Sequence, residues 1–131
     1  MHRALQPEGW ARPAGYSNGV VARGRSIVLA GQIGWNAQSE FESDDLVAQI
    51  AQALRNVMAV LACDGAGPEH IVNLVWYFTD KREYVARLPE VGKVYREIVG
   101  KHFPAMTAVQ VSALIEDRAK VEIQATACVP D

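Results

Sequence analysis

The amino-acid sequence predicts an α/β (α+β) domain: one mixed sheet with two helices on one face, in the order ββαβαββ. Three runs carry that prediction. Residues 46–61 repeat apolar side chains at the helical period, residues 71–79 are apolar on both faces, and residues 119–129 alternate apolar with polar. With 131 residues, 50% of them hydrophobic, the whole chain is expected to form one domain around one core.

Each element follows from local chemistry. Residues 1–15, with Pro7, Gly9, Pro13 and Gly15, read as an irregular N-terminal arm. Asn18–Arg23 and Ser26–Gly34 are β-rich runs that a hairpin at Gly24-Arg25 would join, with Ile27, Leu29 and Ile33 on one face. Ser43 is the expected N-cap of the first helix, and Asp44 and Asp45 put negative charge where the helix dipole favours it. Leu46, Ile50, Ala53, Leu54, Val57 and Leu61 form its apolar stripe, and Asp64-Gly65-Ala66-Gly67-Pro68 ends it. Ile71–Thr79 reads as a central strand covered on both sides. Asp80 caps a second helix, interrupted at Pro89 and running to about Val99, with Val91, Val94, Tyr95 and Ile98 as its stripe. Two strands follow. Ala105–Ile115 places Thr107, Val109, Val111, Ala113 and Ile115 on one face and Met106, Gln110 and Ser112 on the other. Ala119–Val129 turns Val121, Ile123, Ala125 and Ala127 to one side and Lys120, Glu122, Gln124 and Thr126 to the other.

Two helices cover only one face of such a sheet. The uncovered face is polar on the last strand yet carries apolar residues on the central one, so self-association is expected.

Charge narrows the function classes. Charged residues are 21% of the chain, the net charge is −2, and no basic cluster occurs, so neither nucleic acid nor a membrane surface is an expected partner. No apolar run approaches the roughly 18–20 residues of a spanning helix. The opening Met1–Trp10 lacks the apolar core of a secretory signal. Cys63 and Cys128, without a CxxC, suit a reducing compartment, and a cytoplasmic location is expected. His2, His70 and His102 lie far apart, so no metal site is expected, and glycine-rich phosphate loops and nucleophile elbows are absent.

A set of short segments occurs in a fixed order: Gly15-Tyr16-Ser17-Asn18-Gly19-Val20, Ala30-Gly31-Gln32-Ile33, Ala53-Leu54-Arg55-Asn56-Val57, Thr79-Asp80, His102-Phe103-Pro104-Ala105-Met106-Thr107 and Lys120-Val121-Glu122-Ile123. Each is weak alone. Together, over about residues 14–129, they resemble the RidA-like reactive-intermediate deaminase family, some of whose members are described as endoribonucleases. The resemblance implies a chorismate-mutase-like fold and a homotrimer whose sheets close a central barrel, with small-molecule clefts between subunits. It implies hydrolysis of an enamine or imine to a keto acid and ammonia, with no metal or organic cofactor. Glu122 matches the family's carboxylate and is the candidate catalytic residue; Tyr16, Gly31 and Gln32 match cleft positions. From the residues alone, a solvated strand glutamate, a sheet glycine and a half-buried tyrosine are the plainer readings. Trp35 either shapes the pocket or packs in a loop.

The departures bear on the substrate. Met106 stands where the family has a carboxylate-gripping arginine, Gln124 replaces a second glutamate, Gly15 replaces a proline, and the Glu116-Asp117-Arg118 turn is one residue longer. Loss of a bidentate charged contact costs roughly 2–5 kcal/mol when the ligand charge is left buried. The standard 2-aminoacrylate is therefore an unexpected substrate, and a bulkier enamine such as 2-aminomuconate is favoured. A replacement cation is sought among Arg12, Arg25 and His102. A non-catalytic trimer that binds a metabolite or a protein is the alternative.

Overall fold

The structure is a computed structural model and describes residues 2–131. Its elements are β1 (Arg3–Leu5), β2 (Gly19–Val21), β3 (Arg25–Val28), β4 (Gln32–Ile33), α1 (Leu46–Ala62), β5 (Ile71–Phe78), α2 (Lys81–Ala86), α3 (Leu88–Ile98), β6 (Ala105–Gln110) and β7 (Val121–Val129), with a 3₁₀ turn at Pro68–His70. Five strands form one mixed sheet. β7 is paired antiparallel with β3, β4 and β5, and β5 is paired parallel with β6. The parallel pair requires a crossover, and α2 and α3 provide it.

The three strongest sequence signals all appear. Ile50, Leu54, Val57 and Leu61 of α1 are fully buried against Leu74, Trp76 and Phe78 of β5 and Val121 and Ile123 of β7. Alternation on β7 leaves Glu122, Gln124 and Thr126 on the opposite, open face. Glu122 sits level with Tyr77, and Gln124 level with Val75. Val28, also on this side, is 74% exposed, and Val109 is exposed.

Five expectations are corrected. The arm is not wholly irregular: Arg3–Leu5 pairs with Gly19–Val21, and Asn18 donates from Nδ2 to Gln6 Oε1 at 2.8 Å. Strands of three residues are too short to carry an alternation. The hairpin at Gly24-Arg25 does not form, because β2 pairs with β1 and β3 pairs with β7. Gly24 instead has φ +142 and lies so close to the Val129 backbone that no Cβ would fit.

The N-cap is Asp45, whose side chain accepts from Ala48 N at 3.0 Å; Ser43 accepts from Asp45 N instead. The second helical region is two helices. The break falls at Arg87, and Pro89 sits in the first turn of α3, where its missing N–H costs nothing.

The fifth correction concerns β6. It stops at Gln110, and Ile115 is 94% exposed in the loop that follows. Its parallel register sets Met106 beside Leu74, Ala108 beside Trp76 and Gln110 beside Phe78. Residues level on neighbouring strands share a face. Met106 and Gln110 therefore face the helices, not the open side, and Gln110 Oε1 accepts from Lys81 N at 2.8 Å at the start of α2. Thr107 and Val109 take the open face.

Candidate functional site

Two groups of the expected site residues come together, and they are apart from one another. The first surrounds Glu122. β7 holds it between the buried Val121 and Ile123, so its side chain must leave on the open face. Gly31 lies in the gap between β3 and β4, directly over the Glu122 side chain. A Cβ on Gly31 would stand 2.8 Å from Glu122 Cδ and 2.9 Å from Cγ, too close for any real contact. The glycine thus leaves room for the carboxyl to lie along an exposed stretch of backbone. Glu122 takes part in none of the ion pairs among the described residues.

A buried amide fixes the strand that carries Glu122. Gln49 is 1% exposed. Its Nε2 donates to Ser43 O at 3.0 Å and Arg118 O at 2.9 Å, and its Oε1 accepts from Lys120 N at 2.8 Å. Those bonds tie the start of β7 to α1, two residues before Glu122. Gly34 packs against Gln49, leaving only 2.7 Å between a built Cβ and Gln49 Cα.

The second group gathers at the β6 edge. Tyr16 lines a groove of about 820 Å³ with Arg12, Trp10 and Phe103. Met106 lines a neighbouring groove of about 330 Å³ with Trp76, Tyr84, Tyr95 and Phe103, and Gly15 borders both. On the sheet, Met106 is level with Leu74 and Glu122 with Tyr77. That is three residues along the strands and two strand spacings across, roughly 14 Å, with the side chains on opposite faces. Met106 and Glu122 therefore do not meet within one chain, and what is corrected is the placement of Met106 on the open, polar face. Continued alternation beyond Gln110 had suggested a polar face that the parallel register does not allow.

The remaining candidates take plainer places. Gln32 donates from Nε2 to Ala30 O at 3.1 Å. Trp35 packs on Phe41 with ring centroids 5.9 Å apart, and its carbonyl accepts from Asn56 Nδ2. Of the three cations considered, Arg25 pairs with Asp64 at 2.9 Å, and His102 Nε2 donates to Ile71 O at 2.7 Å. Arg12 lines the Tyr16 groove. Arg96, which sequence reading passed over, lines the Met106 groove. On an amphipathic helix it has the signature of any solvated arginine, and only the fold sets it beside Met106. No group of three or more metal-ligating side chains occurs among the described residues.

The model of the Endoribonuclease L-PSP family matches residues 9–129. The chain belongs to that family. Among solved structures, the L-PSP fold seen here is similar to a conserved Rid-family protein of unknown function from Yersinia pestis. The two are 33% identical, with TM-score 0.86, over 98% of each chain. A RutC family protein of Pyrococcus horikoshii is 28% identical over 97% of this chain and 98% of its own. A 2-iminobutanoate/2-iminopropanoate deaminase of Escherichia coli is 31% identical over 79% of this chain and 80% of its own. The RidA-like resemblance and the mixed α+β fold are thereby established.

Proposed function

We propose that this L-PSP chain is a hydrolytic deaminase of an enamine or imine, with Glu122 as the proton-transferring group. The observation that carries the reading is the Glu122 carboxyl, outside every ion pair among the described residues and lying over Gly31 on the open face. The deaminase named among its relatives supports it. In the proposed reaction the enamine is protonated at carbon. Glu122 then takes a proton from water as the oxygen adds to the imine carbon. The resulting carbinolamine expels ammonia and leaves the keto acid. One water enters and one ammonia leaves, and no redox partner is needed. A carboxyl that gives and takes protons in turn suits this sequence of steps.

The active assembly is a homotrimer with its small-molecule clefts between subunits. The exposed Val28 and Val109 on the open face motivate association, and the separation of the Glu122 and Tyr16 groups motivates a cleft assembled from two copies. With Met106 in place of a cation, a bulkier enamine such as 2-aminomuconate is the favoured substrate. Nucleic acid is not a partner on this reading, given the net charge of −2, and the free thiols of Cys63 and Cys128 suit the cytoplasm. No helix among the described residues is long and apolar enough to cross a membrane.

Ammonia release from a panel of enamines generated in solution tests the reading, with light scattering to give the mass of the active species. Turnover of at least one bulky enamine by a species of about three times 14.3 kDa is expected. No turnover across the panel would favour the binding-protein alternative.

A further inference from the structure

His2, His70 and His102, far apart in the chain, converge on the short stretch of backbone where the 3₁₀ turn enters β5. His2 Nε2 lies 3.2 Å from His70 O, and His102 Nε2 lies 2.7 Å from Ile71 O. A carbonyl oxygen only accepts, so both ring nitrogens carry hydrogen and donate. His70 does the reverse. Its Nδ1 accepts from Gly67 N at 3.0 Å, which only a nitrogen without hydrogen can do. The Nδ1 of His2 is buried and has no partner among the described residues.

These roles tolerate charge unequally. His102 donates to Ile71 O whether its ring is neutral or charged. A charged His2 places a second N–H where nothing among the described residues accepts it. A charged His70 loses its bond from Gly67 and sets one donor against another. Glu69 Oε1, 3.4 Å from His70 Nδ1, offers the charged ring a new partner and so favours the broken arrangement. His2 takes part in none of the ion pairs among the described residues, and its chain neighbour Arg3 is exposed and adds only positive charge.

Little else holds β1. Its residues Arg3, Ala4 and Leu5 are all exposed, and it pairs with β2 alone, outside the main sheet. A two-stranded ribbon is marginal on its own. At its other end the ribbon is closed by the Asn18–Gln6 bond. β1 is also a wall: Ala4, Leu5 and Gln6 line the groove of about 820 Å³ together with Tyr16 and Phe103.

We infer that His2 and His70 form a pH-sensitive clasp, which holds β1 against the 3₁₀ turn while both rings are neutral and releases β1, one wall of the Tyr16 groove, when they are protonated. Docking favours the neutral rings. It is therefore full above the range in which a free imidazole titrates, about pH 6.5, and is lost as pH falls through that range. The clasp is independent of the deaminase reading and needs no turnover to hold.

Hydrogen exchange of the full-length protein tests it, read residue by residue by NMR and corrected for the intrinsic effect of pH. Protection of Arg3–Leu5 and Gly19–Val21, relative to β5, should fall at least about tenfold between about pH 7.5 and about pH 5. The fall should run in step with the ring-nitrogen titrations of His2 and His70. Protection that stays flat, or a fall in step with neither ring, would overturn the inference. His2→Gln combined with His70→Asn keeps an amide donor in place of Nε2 and an oxygen acceptor in place of Nδ1, and neither group titrates. In that double variant the same ratio should stay within about twofold over the whole range, and a full fall would overturn the inference equally.

Discussion

Replacing Gln49 with leucine removes three hydrogen bonds at a residue that is 1% exposed. Three backbone groups lose their partner: the carbonyls of Ser43 and Arg118 and the N–H of Lys120. Each buried group left unpaired costs about 1–3 kcal/mol. The leucine recovers roughly 1–2 kcal/mol through apolar burial, and the loop at Arg118 lets water reach part of the site. A net loss of about 2–4 kcal/mol follows. At roughly 3 °C per kcal/mol for a chain of this size, the melting temperature should fall by about 6–12 °C. Urea unfolding followed by tryptophan fluorescence reads the change directly. Gln52→Leu, whose amide reaches only Asn56 one turn along α1, is the control and should stay within about 1 kcal/mol. A Gln49→Leu variant as stable as wild type would show that these bonds do not hold β7 in place.

Three further outcomes follow from the same geometry. Gly34→Ala should destabilise the fold by roughly 1–3 kcal/mol, because the new methyl meets Gln49 backbone that has no freedom to yield; unchanged urea midpoints would refute this. Gly31→Ala should leave stability within about 1 kcal/mol, since the colliding group is the end of a flexible side chain, yet lower deaminase turnover at least about tenfold by displacing the Glu122 carboxyl; full turnover would refute it. The Arg87 guanidinium, ahead of the Ala48 N–H, holds the Asp45 carboxyl below its usual range, and Arg87 does the same to Glu90. A lowered folded-state pKa stabilises above the carboxyl's ordinary value, and the gain is lost as pH falls through the lowered one. The stability gap between wild type and Arg87→Gln should therefore be present near neutrality and close in strong acid; a gap independent of pH would refute the assignment.

Much of the fold was legible because its core elements obey one period each. α1 and β7 are buried along a single stripe or face, and β5 is apolar enough to mark a central strand. The errors lie where non-local pairing decides. The ribbon of Arg3–Leu5 with Gly19–Val21 has no hydrophobic signature. Ser43, Asp44 and Asp45 are all competent caps, and only the first helical turn chooses among them. Met106 was placed on the wrong face because alternation gives relative parity, whereas the register against Leu74 gives the absolute side. At the site, Glu122 and Gly31 were found by resemblance, but their contact spans two strands and no local pattern encodes it. Arg96 was passed over because nothing in the chain links α3 to the β6 edge until the crossover folds.

The central claim is that Glu122 moves the protons of a deamination. Ammonia release from the best enamine of the panel, wild type against Glu122→Gln at matched fold and mass, tests it most directly. The amide keeps the shape and one acceptor but can neither give up nor take a proton as a carboxyl does. Turnover should fall by roughly 10²–10⁴, the usual share of general acid–base catalysis, with the circular dichroism spectrum unchanged. Full turnover by a folded Glu122→Gln protein would contradict the account.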